Sequence, residues 1–224
     1  MSAEKLQFTA SSEKGLVTAL LDLGTEARAL IVLAHGAGAD IHHHHIQSIA
    51  NALNKRNLAT LRFNFPYMES GGKRTDSKEV CIETFDNALE LAHSKARGLS
   101  VFIGGHSFGG RMSSHYYSER AKSDSCRGLV YYSFPLHPSK KPDSKRAAHL
   151  YAIDLPMLFL SGTRDTLADA DLLNAVVTRI PRARLHWLET ADHGFKILKR
   201  TRRSVENVYD EAARVTADFV QASI

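Results

Sequence analysis

The segment Gly105-His106-Ser107-Phe108-Gly109 fits the pattern G-x-S-x-G, in which a serine hydroxyl is presented for attack on a carbonyl carbon. Alone the five residues carry little weight, because glycine makes up about 7% of residues in ordinary proteins. Their setting carries more. The run Ser100-Val101-Phe102-Ile103-Gly104 precedes them and a helix-compatible stretch, Gly110 to Arg120, follows. That is the strand–turn–helix context the chemistry needs. The serine then sits in a strained backbone conformation with a glycine on either side to give steric room. The N-terminus of the following helix offers amide groups to a developing anion. Two rival glycine motifs fail. A phosphate-binding loop requires Lys and then Ser or Thr after its second glycine, but Gly109 is followed by Gly110 and Arg111. A dinucleotide fingerprint at Gly36-Ala37-Gly38 lacks its third glycine, position 41 being Ile41, and no acidic residue ends the next strand.

A serine nucleophile needs a base and an acid that orients it, and behind an elbow of this kind they follow in the order acid, then base. Of twelve histidines, five follow Ser107: His115, His137, His149, His186 and His193. His186 lies inside a strand pattern and His115 about two turns into the helix after the elbow, while His137 and His149 precede any good acid candidate. His193 sits in a loop just past the last strand, Ala191-Asp192-His193-Gly194-Phe195, and is the expected base. A bland loop histidine fits that place in the order less well. His106 adjoins the nucleophile, but neighbouring side chains diverge on so sharp a turn, so it makes a poor base. The acid is expected where Met157 to Gly162 ends in Thr163-Arg164-Asp165, at Asp165. Asp169 and Asp171 read as first-turn helix residues favoured by the dipole, and Asp192 as a loop-shaping residue. The small residues of His35-Gly36-Ala37-Gly38-Ala39 suit an oxyanion loop, with the backbone N–H groups of Ala37 and Phe108 as donors. One such donor is typically worth about 2.7–4 kcal/mol in the transition state. His35 is expected to shape the loop. The reaction this set supports is acyl transfer on a small substrate, and it calls for no cofactor and no metal.

The elements that must hold these residues alternate along the chain. Leu6 to Ala10 and Leu16 to Leu23 read as a hairpin about the turn residues Ser11 to Gly15. Six further strands are predicted at Ala29 to Ala34, Ala59 to Phe65, Leu99 to Gly104, Gly128 to Ser133, Pro156 to Ser161 and Arg184 to Leu188. Several are unbroken apolar runs, as strands covered on both faces are. Helical periods lie between them: Ile46, Ile49, Ala50 and Leu53; Cys81, Phe85, Ala88, Leu89 and Ala92; and Val205, Val208, Ala212, Val215 and Phe219. Strand, helix, strand repeated implies right-handed crossovers and a three-layer α/β/α sandwich around a mostly parallel, eight-stranded sheet. Ligands bind at the carboxyl ends of such strands, where each candidate falls. A single domain over residues 1–224 is expected. Only about 22 residues separate Ser133 from Pro156, so no separate lid is expected and the pocket should be open.

Taken together, Leu33-Ala34-His35-Gly36-Ala37-Gly38-Ala39, Arg62-Phe63-Asn64-Phe65-Pro66-Tyr67, Gly104 to Met112, Phe134-Pro135-Leu136-His137-Pro138, Gly162-Thr163-Arg164-Asp165 and Asp192-His193-Gly194-Phe195 resemble one family. It is the predicted α/β-hydrolase family that includes a testis-expressed protein and the third subunit of the NSL chromatin complex, more distantly related to dienelactone hydrolases. The resemblance runs nearly end to end. It implies the α/β-hydrolase fold and a Ser–Asp–His triad on Ser107, Asp165 and His193. It says little of substrate, since at least one member acts as a scaffold, so a non-catalytic interaction module is the alternative reading. Two departures touch the pocket: His106 stands where a lysine is frequent, and His42 to His45 follow the oxyanion loop.

Four adjacent histidines point in divergent directions on a strand or a helix, which suits a loop lining the pocket mouth better than a tetrahedral metal site. Arg111, in the first turn after the elbow, is placed to meet an anionic substrate, though a structural ion pair beneath the site is the reading preferred. The loop Pro66 to Asp76, with Gly71 and Gly72, suggests mobility near the site. The composition, 43% apolar and 24% charged, is that of a globular protein. Its longest apolar runs are too short for a bilayer, so no membrane partner is expected. Much of the net charge of +5 sits in Lys140 to Arg146 and Lys196 to Arg203, read as solvated surface because no nucleic-acid module accompanies it. Met1 to Lys5 lead into no secretory h-region, and Cys81 and Cys126 make no disulfide framework, so a reduced, cytoplasmic setting is expected.

Overall fold

The run Ala29-Leu30-Ile31-Val32-Leu33-Ala34 holds no polar side chain because it crosses the middle of a sheet covered on both faces. The computed structural model describes residues 3–96, 98–120 and 126–224. Met1 and Ser2 of the leader reading lie outside them. Among the described residues eight strands are formed: β1 (Glu4–Thr9), β2 (Leu16–Asp22), β3 (Ala29–Ala34), β4 (Leu58–Phe63), β5 (Ser100–His106), β6 (Leu129–Tyr132), β7 (Met157–Gly162) and β8 (Ala183–Leu188). They make one sheet in the order β1-β2-β4-β3-β5-β6-β7-β8. β2 is antiparallel to both β1 and β4, and every pairing from β4 to β8 is parallel. The three-layer sandwich read from the sequence is therefore the fold, and no separate lid is present among the described residues.

Six α-helices are described: α1 (His44–Asn54), α2 (Pro66–Glu69), α3 (Lys78–Lys95), α4 (Phe108–Arg120), α5 (Ala170–Thr178) and α6 (Val208–Gln221), with a 3-10 helix at Lys145–Ala152. Strand residues alternate between two cores, as a period of two requires. Leu30, Val32 and Ala34 of β3 face Phe85 and Leu89 of α3 and Met112 and Tyr116 of α4. Ala29, Ile31 and Leu33 face Ile46, Ile49 and Leu53 of α1 and Ala212 and Phe219 of α6. Each Val, Leu, Ile, Phe or Met side chain among these, once buried, contributes about 1.5–3 kcal/mol through removal from water.

Two expectations need correction. The last helix begins at Val208, not Val205. Asn207 caps it, accepting from the Tyr209 amide at 2.9 Å, and Val205 is fully exposed. The basic stretch Lys196 to Arg203 is not all solvated, because Arg202 is buried and paired with Glu211 of α6, which also meets His186 Nε2 of β8 at 2.8 Å. Asp169 caps α5, accepting from the Leu172 amide at 3.1 Å. Cys81 and Cys126 are buried and not disulfide-linked. Among the described residues no helix is long and apolar enough to cross a membrane.

Candidate active site

β5 ends and α4 begins within two residues, and the turn between them forces Ser107 to φ 51°, left-handed for a non-glycine residue. The turn is held on two sides: the Ser107 amide donates to Tyr132 O of β6 at 3.0 Å, and the Arg111 amide donates to Ser107 O at 3.0 Å. Gly109 lets α4 start this close to the sheet. A Cβ there would stand 2.4 Å from Ala34 O and 2.6 Å from His35 O, both backbone atoms that cannot step aside.

The side chain of Ser107 meets an imidazole. His193 Nε2 lies 2.8 Å from Ser107 Oγ, and His193 Nδ1 lies 2.8 Å from Asp165 Oδ2. Asp165 is an acceptor, so Nδ1 carries the ring proton and the Nε2 lone pair faces the hydroxyl. The Asp165 carboxylate is fully enclosed, and its other oxygen accepts from the Leu167 amide at 2.8 Å. The loops carrying acid and base are stitched together. The Arg164 amide donates to Ala191 O at 2.9 Å, and the Thr190 amide to Thr163 Oγ1 at 2.9 Å. Asp192 shapes the base loop, accepting from the amides of Gly194 and Lys196 at 3.0 and 2.9 Å. The structure thus brings Ser107, Asp165 and His193 together from the ends of three different strands.

The loop after β3 passes directly over the serine. A Cβ on Gly36 would fall 3.6 Å from Ser107 Cβ and 2.7 Å from His106 Nδ1, so only glycine allows the approach. Among the described residues the exposed Ala37 amide donates no hydrogen bond, and Phe108, first residue of α4, has an amide outside the helical ladder. The end of β4 and the segment after it fix this loop. Arg62 Nη1 donates to Ile41 O at 2.9 Å, Asn64 Oδ1 accepts from the Ile41 amide at 3.0 Å, and the Phe65 amide donates to His35 Nε2 at 3.1 Å. With Nε2 accepting, His35 Nδ1–H donates to Gly36 O at 2.9 Å. Burial pushes His35 down to about 4, which keeps this neutral tautomer in place.

Three further histidines reach the site through partners that the sequence does not show. His106 Nε2–H donates to His193 O at 3.0 Å, and its ring centroid is 5.1 Å from that of His193. Burial, then the neighbouring His193, push it down to about 4. His45 packs behind it at 4.3 Å between ring centroids and meets Tyr209 OH at 3.0 Å; burial and nearby histidines push it down to about 2. His137 Nε2 accepts from the Asp169 amide at 2.8 Å and ties down the acid loop. The histidine run is therefore not a loop throughout: His43 caps α1, His44 and His45 open it, and His45 turns inward. Among the described residues no three of His, Cys, Asp or Glu converge as a metal site needs. The ion pair expected of Arg111 is also absent among the described residues, and its Nε is enclosed without an acceptor.

Comparison with known proteins follows the same lines. The chain is similar to an alpha-beta serine hydrolase homologue from Coxiella burnetii, at 16% identity and a TM-score of 0.73 over 100% of this chain and 99% of the other. It is similar to a dienelactone hydrolase from Anabaena variabilis, at 16% identity and a TM-score of 0.75 over 100% of both chains. A serine hydrolase without lid from Xanthomonas campestris superposes with a TM-score of 0.71 at 15% identity, over 99% of this chain and 95% of its own. At such identities these likenesses speak for the fold alone. Residues 27–221 match the family described as Alpha/beta hydrolase domain, and the chain belongs to that family.

Proposed function

We propose that the protein is a serine hydrolase that cleaves an ester or related acyl bond of a small substrate through Ser107, His193 and Asp165. The observation that carries this reading is the pair of 2.8 Å contacts that join His193 to Ser107 and to Asp165, beside a serine held at φ 51°. Ser107 Oγ attacks the carbonyl carbon while its proton passes to His193 Nε2. The N–H groups of Ala37 and Phe108 hold the oxyanion. Collapse expels the leaving group, which takes the proton from His193, and water repeats the sequence to free the acid from Ser107. Asp165 orients the imidazole and balances its charge. The relatives named as serine hydrolases and as lidless support the reading by analogy. Likeness to the testis-expressed and NSL-complex type, and a cytoplasmic setting, belong to the same proposal.

A fluorophosphonate probe followed by peptide mapping tests it without knowledge of the substrate. An activated serine reacts at phosphorus, whereas an ordinary serine, un-ionised at neutral pH, does not. One adduct is expected, on the peptide containing Ser107, and none in His193→Ala. A folded protein that stays unlabelled while a control hydrolase in the same tube reacts would move the reading to a non-catalytic interaction module.

A further inference from the structure

His106 and Ser107 are neighbours in the chain, and both reach the same residue across the site. Ser107 Oγ lies 2.8 Å from the ring nitrogen Nε2 of His193, and His106 Nε2 lies 3.0 Å from its carbonyl oxygen. A carbonyl only accepts, so His106 carries its ring proton on Nε2. Among the described residues this is the one hydrogen bond made by the backbone of His193. The flanks of the loop are held separately, by the Asp192 carboxylate on the amides of Gly194 and Lys196 and by Ala191 O on the Arg164 amide. Two residues that bracket His193, Thr190 at φ 58° and Phe195 at φ 64°, stand in the left-handed region. A branched and a bulky side chain keep that conformation only where surrounding contacts enforce it.

The His106 ring is itself held in place. Its backbone closes β5, in register with Tyr132 of β6, so the ring starts from the end of a central strand and not from a loop. Along one edge stands the loop after β3: a Cβ on Gly36 would fall 2.7 Å from His106 Nδ1 and 3.4 Å from its Cε1. His45 of α1 packs edge-to-face on it at 4.3 Å between ring centroids, and the same His45 ring meets Phe195 at 4.9 Å. Tyr209 OH meets His45 Nδ1 at 3.0 Å. Burial pushes His106 down to about 4, so near neutral pH it donates without carrying a charge. That matters because its ring centroid is 5.1 Å from that of His193, where a second cation would oppose protonation.

We infer that His106 is a positioning residue for the reaction. Its Nε2–H sets the backbone of His193 at the height where the His193 ring meets Ser107 Oγ, so one dipeptide locates both groups. This rests on Ser107 and His193 as nucleophile and base, so the two readings are tested separately. His106→Leu removes the donor and keeps an apolar body against His45. His106→Gln returns an N–H at about the reach of the imidazole Nε2. For a short acyl ester, kcat is expected to fall by about tenfold to a hundredfold in His106→Leu, with KM changed by less than about twofold. The rate of fluorophosphonate labelling should fall with it, and His106→Gln should recover most of both. Circular dichroism reports the fold of each variant; should His106→Leu not fold, His106→Asn, whose amide ends short of the carbonyl, takes its place. Wild-type rates in the folded variant, a loss confined to KM, or a His106→Gln as slow as His106→Leu overturns the positioning role and leaves the hydrolase standing. If the wild type neither reacts with the probe nor cleaves the ester, the hydrolase reading falls, and crystal structures of the wild type and His106→Leu decide the inference alone. A His193 ring moved out of hydrogen-bond range of Ser107 Oγ in the variant supports it; an unmoved ring overturns it.

Discussion

Which nitrogen of His193 faces the serine is decided by Asp165, whose enclosed carboxylate accepts from Nδ1 at 2.8 Å. An amide in its place can donate to that nitrogen and stabilise the wrong tautomer, while Ser107→Ala and His193→Ala remove the proposed nucleophile and the proposed base themselves. All three variants should fold, since the loops are held mainly through backbone groups. Turnover of a short acyl ester is expected to fall by about 10⁴- to 10⁶-fold in Ser107→Ala and His193→Ala, and by about 10⁴-fold in Asp165→Asn. Steady-state kinetics alongside circular dichroism checks this, and near-normal turnover in a folded Ser107→Ala would count against the assignment. These three residues were readable because their order along the chain, and the strand each follows, are local features. The partners of His106, His45 and His137 were not. Their roles depend on what lies across the fold: a His193 carbonyl 87 residues away, a Tyr209 hydroxyl 164 away, an Asp169 amide 32 away. Arg111 was misread for a related reason, since the sequence shows abundant acids but not which of them are already engaged.

At the scale of elements, the site depends on α4 starting where β3 ends. Gly109 is the contact point, and an added methyl meets Ala34 O at 2.4 Å and Ala34 C at 2.6 Å. Because both neighbours are backbone, relief requires the helix or the loop after β3 to shift. Gly109→Ala is therefore expected to cost about 1–3 kcal/mol of stability. A displacement near 1 Å at the reacting groups should lower turnover by about a hundredfold. Chemical denaturation and ester hydrolysis on one preparation check both, and wild-type values for both would refute the steric account. The glycine pattern and the strands were legible because a buried parallel sheet demands unbroken apolar runs, and strand ends were displaced by only a residue or two. The short helix Pro66–Glu69 and the 3-10 helix Lys145–Ala152 span too few turns to show a period. Val205 fitted the helical period of α6 yet touches no core, because Asn207 caps the helix after it.

Across the whole molecule, the sequence shows twelve histidines but not which of them the fold encloses. Burial is the first cause that pushes His35 and His106 down to about 4 and His45 down to about 2, against an ordinary value of 6.5. Below pH 6.5 the unfolded chain takes up protons at these rings while the folded one does not. The unfolded state then binds more protons, and stability rises with pH through this window; read the other way, acidification from about 6.5 removes it. Each ring that stays neutral while its unfolded counterpart is charged contributes up to about 1.4 kcal/mol per pH unit. Carboxylates act lower on the scale. Glu119 and Glu206, held below their ordinary 4.5 by hydrogen bonds from Lys78 and Arg214, support the fold above pH 4.5 and lose that support only below it. The interval from pH 6.5 to 4.5 therefore reports the buried histidines. Denaturation free energy is expected to be level above pH 7 and to fall steeply across that interval. In His45→Phe, which keeps the ring packing against His106 and Phe195 but removes the titrating group, the slope should be smaller by close to one proton. A stability that is flat from pH 6.5 to 4.5, or an undiminished slope in His45→Phe, would mean that these rings are charged in the folded protein, which the packing of His45 on His106 argues against.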